Sequence, residues 1–188
     1  MSPETDERPG GRFRRSWPRS VPRLLVGALI SGSIGGCGSL SPAVEDLHGR
    51  EVGTMRFEDA EGKMLALDAP GAIYLVDFWA VGCKPCMWEI PDLLRLQHDL
   101  ATTGRFRIVS VLFGGWKGSQ LTERAKEVGV ESLAIVSDPE DWYGKLEVQG
   151  FPTKFLVRDG RLLYRTIGAG KSGTYRKWKR VVDNQLAH

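Results

Sequence analysis

One stretch constrains this chain more than any other: Ile73-Tyr74-Leu75-Val76-Asp77-Phe78-Trp79-Ala80, running directly into Val81-Gly82-Cys83-Lys84-Pro85-Cys86-Met87-Trp88-Glu89-Ile90-Pro91. An apolar run of β-branched and aromatic residues from Ala72 to Trp79, with a single acid inside it, predicts a buried strand. The two cysteines, two residues apart, then open an amphipathic helix predicted from about Lys84 to Thr102. Thiols at that spacing can close a disulfide across one helical turn, and the positive end of a helix favours the thiolate. The outline is a redox device, which the remaining segments must hold and orient.

Downstream of the device the pattern alternates. Phe106 to Phe113 and Leu133 to Val136 read as strands, with a helix from Ser119 to Val128 between them, closed by Gly129. Asp138 to Gln149 reads as a capped helix or turn. Lys154–Arg158 and Arg161–Ile167 flank Asp159-Gly160 as a hairpin, and Lys171 to Leu186 closes the chain as a helix. Upstream, Val52–Phe57 and Lys63–Leu67 around Asp59–Gly62 suggest another hairpin. Pro91 falls inside the first helix, where it removes a backbone hydrogen bond and predicts a kink. Strands alternating with helices and ending in a hairpin plus helix predict an α/β fold, a mixed central sheet flanked by helices on both faces, with an extra N-terminal β-hairpin.

Charge separates the leader from the rest. The formal net charge is +3, and residues 1–36 hold six arginines against three acids, while the remainder carries 20 basic and 20 acidic side chains. The balanced remainder has no nucleic-acid-binding field. Within the leader, a basic segment precedes a short apolar core, Leu24 to Ile34, far below the ~20 residues of a membrane span. Small residues follow and lead to Cys37. This ending resembles a bacterial lipoprotein signal, which implies cleavage before Cys37 and a lipid on it; otherwise Cys37 is a free thiol in a leader. Arg14-Arg15 lacks the preceding serine of a twin-arginine mark and reads as part of an arginine-rich leader. The expected organisation is 1–36 export signal, 37–49 flexible tether and 50–187 folded domain.

The ordered combination of Val76-Asp77-Phe78-Trp79-Ala80, Cys83-Lys84-Pro85-Cys86, Pro91 and Gly150-Phe151-Pro152-Thr153 resembles thioredoxin over roughly residues 50 to 187. The upstream hairpin, Glu89 three residues after the second cysteine, and the exported context look more like the TlpA/ResA branch of bacterial thiol–disulfide oxidoreductases. The resemblance implies a thioredoxin fold with Cys83 as nucleophile and Cys86 as resolving thiol, and it makes Asp77 and Glu89 candidates for proton handling. It implies that Trp79, Lys84, Pro85, Phe151 and Pro152 contact substrate, Pro152 through a cis bond facing the disulfide. Pro85 suits a first helical turn, having no amide hydrogen to leave unpaired.

Each role has a plainer rival. A buried, unpartnered Asp77 is costly when charged, so its pKa rises, whereas at a sheet edge it would face water. Glu89 lies on the Cys86 side of the helix by i, i+3 spacing, or it is a surface acid near a helix start. Cys83 and Cys86 would be half of a zinc site only with two further ligands, and His48, His98 and His188 form no partner motif. Gly82 stands where the family often has a bulky residue, which predicts a more open rim.

The reading is therefore an enzyme of the cell envelope, extracytoplasmic and lipid-anchored. It would reduce disulfides of exported proteins, apocytochrome c among them by family analogy, with no cofactor beyond its own cysteine pair. The expected partners are protein thiols and disulfides, a membrane electron donor or acceptor, and the membrane itself through Cys37; a monomer and no nucleic acid are expected. Two alternatives share the fold: a thiol peroxidase, whose usual threonine is missing from Val81-Gly82-Cys83, and a copper-binding lipoprotein, which usually spaces its cysteines by three and adds a histidine.

Overall fold

The computed structural model describes residues 42–188, so the expected export segment and Cys37 lie outside the described residues. At the centre is β4 (Ile73–Ala80), preceded by β1 (Glu45–Glu51), β2 (Arg56–Glu58) and β3 (Met64–Ala66). After it come α1 (Lys84–Ala101), β5 (Phe106–Phe113), α2 (Ser119–Val128), β6 (Ala134–Val136) and α3 (Trp142–Lys145). The chain ends with β7 (Thr153–Arg158), β8 (Arg161–Ile167) and α4 (Thr174–Leu186). Six strands form one mixed sheet in the order β1-β8-β7-β4-β5-β6, and β2-β3 is a separate hairpin.

β4 is apolar along its length because it is covered on both faces, with β5 parallel on one side and β7 antiparallel on the other. Strand alternation divides its side chains. Ile73, Leu75 and Trp79 share a core with Leu93, Leu96 and Leu100 of α1, Leu121 and Ala125 of α2, and Trp178 and Val182 of α4. Tyr74, Val76 and Phe78 point the other way, toward Met55, Phe57 and Leu67 around the hairpin and Trp142 of α3. Helices cover both faces, but unequally: three lie on one, while the second has a four-residue helix and the β2-β3 hairpin. On that second face Phe78 takes edge contacts from Phe57 and Phe155, with ring centroids 6.4 and 6.1 Å away.

In α1 the buried residues Cys86, Glu89, Leu93, Leu96 and Leu100 follow the three-and-four spacing of one helical face. Pro91 is carried inside a helix that continues to Ala101. The β7–β8 turn places Asp159 (φ 48°) and Gly160 (φ 71°) in left-handed conformations, as a two-residue hairpin loop demands. A side chain at Gly160 would also come within 3.3 Å of the Gly53 backbone.

The tether expectation for 37–49 needs correction. Residues 45–49 belong to β1, which pairs antiparallel with β8 through an irregularity between Asp46 and Arg50. The strand is polar and mostly exposed, so no hydrophobic alternation marks it. Its pairing rests on backbone bonds, on Arg165 donating to Glu45 Oε2 at 2.7 and 2.9 Å, and on Arg161 donating to the Gly49 carbonyl. Charge on an edge strand also discourages pairing with other chains. The folded unit reaches still further back: Lys177 donates to the Pro42 carbonyl at 2.6 Å. Among the described residues no helix is long and apolar enough to cross a membrane.

Trp178, 1% exposed, is among the largest fully buried side chains and joins α4 to the sheet. Trp178→Ala should lower the unfolding free energy by about 3–5 kcal/mol, seen as an earlier denaturant midpoint with an unchanged slope.

Candidate active site

β4 delivers the chain through Val81 and Gly82 to the start of α1. Gly82 has φ 78° with open space where a Cβ would be, so a bulkier residue would be strained here by its backbone rather than by crowding. Cys83 caps the helix, and its Sγ accepts from the Cys86 N–H at 3.2 Å. Cys83 and Cys86 form a disulfide with Cα atoms 5.3 Å apart. Cys83 is half-buried whereas Cys86 is only 5% exposed, so the sulfurs differ in access: the first can meet a partner, the second cannot. Lys84 is exposed beside them, and Pro85 occupies the first turn as expected.

Opposite the helix start is the loop into β7. The Phe151–Pro152 peptide bond is cis. The Pro152 carbonyl accepts from Gly168 N–H at 2.7 Å, and Thr153 Oγ1 donates to the Gly150 carbonyl. Among the described residues the Phe151 N–H and C=O make no hydrogen bond. The Phe151 ring packs with Phe113 and Tyr143 at centroid distances of 5.2 and 5.8 Å, and Phe113 is 44% exposed. Trp88, also well exposed on α1, has the Lys171 ammonium 5.8 Å from its ring centroid. Trp79 departs from the expected substrate contact: it is 3% exposed and lies in the core. Its place in β4, two residues after Asp77, turns it toward α1 and away from the surface.

Beneath the disulfide is a buried charged cluster. Asp77 is paired across strands with Lys154, so both side chains leave the same face of the sheet, toward α1 and α4. The Lys154 Nζ lies 3.2 Å from Asp77 Oδ1 and hydrogen-bonds Glu89 Oε2. Glu89 Oε1 accepts from Thr174 Oγ1 at 2.7 Å. Lys154 is fully buried, Glu89 is 3% exposed and Asp77 5%. Both acids are thus interior groups, not the water-facing alternatives. The ammonium is the ion-pair neighbour of Asp77 Oδ1, which is buried without a directed hydrogen bond. A cavity of about 10 Å³, the lower limit for one water, is bordered by Asp77, Trp79, Cys86 and Ser110.

Burial pushes the Asp77 carboxyl above its ordinary range; Lys154 opposes this and Glu89 adds to it. Burial alone would lower Lys154, but attraction to Asp77 and Glu89 outweighs it and holds the ammonium above its usual value. Lys154 and Thr174 were not singled out in the sequence. The available signal was a lysine in the apolar run Phe155-Leu156-Val157 beside an acid needing a counter-charge. Among the described residues no group of His, Cys, Asp and Glu is gathered for a metal.

The sequence and fold are similar to those of known proteins. The chain is 32% identical to a thioredoxin of Mycobacterium bovis over 111 residues, 58% of this chain and 74% of that protein. The chain belongs to the thioredoxin family. It is 28% identical over 161 residues to the thiol:disulfide interchange protein HelX of Rhodobacter capsulatus, covering 78% of this chain and 87% of HelX. The crystal structure of a thiol:disulfide interchange protein DsbE from Chlorobium tepidum superposes with a TM-score of 0.63 at 22% identity, over 77% of this chain and 99% of that one. No family model matches. The chain is a dithiol–disulfide oxidoreductase whose Cys83 and Cys86 form a disulfide.

The elevated Asp77 predicts a signed pH effect. Its folded pKa exceeds the unfolded value of about 3.9, so its contribution to stability is complete below that pH and is lost as pH rises through the folded value. Asp77→Asn should therefore gain stability relative to the parent between pH 4 and pH 8, measured as the difference in denaturant midpoints at the two ends.

Proposed function

We propose that this protein is an envelope-tethered disulfide reductase acting on exported proteins, with Asp77 as the proton acceptor for Cys86. The carrying observation is the half-buried Cys83 at a helix start, disulfide-bonded to a buried Cys86 that shares a small cavity with Asp77. In the reduced enzyme the Cys83 thiolate attacks one sulfur of a client disulfide. The client S–S bond breaks, its other sulfur leaves as a thiolate and takes a proton, and a mixed disulfide joins Cys83 to the client. Cys86 gives its proton to Asp77 and attacks Cys83 Sγ. The client's second sulfur leaves as a thiolate and is protonated, so the client gains two electrons and the enzyme is left as the Cys83–Cys86 disulfide. A dithiol donor in the membrane restores the reduced form.

The unpaired Phe151 backbone offers a client segment strand-like hydrogen bonds beside the reactive sulfur. The exposed rings of Phe113 and Trp88 supply apolar contact, and Lys84 favours the thiolate. A lipid on Cys37 supplies the anchor, and by resemblance to the TlpA/ResA branch the cysteines of apocytochrome c are among the clients.

Insulin-disulfide reduction tests the chemistry. Cys83→Ser should abolish it and Cys86→Ser should accumulate mixed disulfide, whereas full activity of Cys83→Ser would sink the mechanism. Asp77→Asn should slow release from the mixed disulfide about 10²-fold or more at neutral pH. For the anchor, Cys37→Ser should move the protein from the membrane to the soluble fraction after cell fractionation; retention in the membrane would remove the lipid from the proposal.

A further inference from the structure

Three charged side chains meet in the interior with one positive charge among them, and their hydrogen bonds are unevenly shared. Both Glu89 oxygens are occupied, one by Lys154 and one by Thr174. Asp77 has the ammonium 3.2 Å away but receives no hydrogen bond at Oδ1, and it borders the cavity that reaches Cys86. We propose that Lys154 is a positioning residue of the thiol chemistry: by engaging Glu89 against Thr174 it leaves Asp77 as the carboxyl that exchanges a proton with Cys86. This rests on the reading above that Cys86 resolves the mixed disulfide, and it adds no oxidant or reductant, since only a proton passes from the Cys86 thiol to Asp77.

Every element packed around the cluster contributes to its balance. β4 brings Asp77, α1 brings Cys86 and Glu89, β7 brings Lys154, and β5 adds the neutral Ser110. α4 brings Thr174 and the half-buried Lys177, whose ammonium is lowered by burial while Glu89 attracts it and Lys154 repels it. One buried cation between two carboxylates leaves room for one more proton, and Asp77, which lacks a hydrogen bond at Oδ1 and borders the cavity shared with Cys86, is the carboxyl that takes it. The arrangement predicts opposite effects of two substitutions. Without the Lys154 charge, Asp77 loses its attraction and ionises less readily. Without the Glu89 charge, Asp77 loses a repulsion and has Lys154 to itself, so it ionises more readily.

The test is carboxyl ¹³C NMR titration of Asp77 in the full chain with its disulfide intact. Lys154→Met should move the Asp77 midpoint up by at least one pH unit, a tenfold change in its proton equilibrium, and Glu89→Gln should move it down. Release of glutathione from its mixed disulfide with Cys83 should follow in step, at least tenfold slower at pH 7 in Lys154→Met. A buried ion pair that only holds elements together would lower stability and shift the midpoint in both variants but leave glutathione release unchanged. An unmoved midpoint, shifts of the same sign, or a titration shift that glutathione release does not follow would overturn the proposal. If Lys154→Met does not fold, Glu89→Gln decides alone, a downward shift supporting the proposal and any other result overturning it. The titration needs no client, so it is independent of whether the parent reduces insulin.

Discussion

The pairing of Asp77 with Lys154 across β4 and β7 is the contact on which the site depends. It brings opposite charges into the interior from neighbouring strands, and Glu89 and Thr174 then extend it to α1 and α4. The helix that carries the cysteines is therefore tied to the strand that follows the Phe151–Pro152 loop through a charged link as well as through apolar packing. Such a cluster is seldom the most stable solution, because two carboxylates and an ammonium must be stripped of water and one carboxylate oxygen goes without a donor. A well-packed apolar core around it carries that cost, as expected where activity and stability compete.

Register is the condition for this pairing. A one-residue slip between β4 and β7 would turn Lys154 to the opposite face and leave Asp77 buried alone. Two features oppose such a slip. The Asp159-Gly160 turn sets how β7 meets β8, and the edge contacts among Phe57, Phe78 and Phe155 hold β4 and β7 from the far side of the sheet. The hairpin is thus more than a family embellishment: it covers the face that has little helix and steadies the strands on which the charges stand.

Much of this was legible in the sequence, for definable reasons. β5, α2 and β8 have the limits their apolar patterns and glycine ends imply, because each presents a complete face to the core. Glu89 was legible as a residue on the Cys86 side of α1, but i, i+3 spacing alone left open whether it faced water, and only its contacts with Lys154 and Thr174 place it inside. β1 was not legible, since an exposed edge strand held by backbone bonds and arginines needs no apolar alternation. Lys154 escaped because a lysine opening a strand usually faces water, and only the cross-strand register shows it opposite Asp77. Trp79 was placed by resemblance at the substrate surface, where strand alternation counting from Ile73 and Leu75 would have put it inside.

The hold on Pro42 would set the length of any leash that a lipid on Cys37 provided. Pro42 is fastened to Lys177, and its ring lies near Gly168, which in turn bonds the Pro152 carbonyl. The register of β1, β8, β7 and β4 puts this fastening at the same end of the sheet as the cysteines. Five residues run from Cys37 to Pro42, about 18 Å when fully extended. An anchor at that cysteine would therefore hold the domain by its reactive end and keep the cysteines close to the anchoring surface.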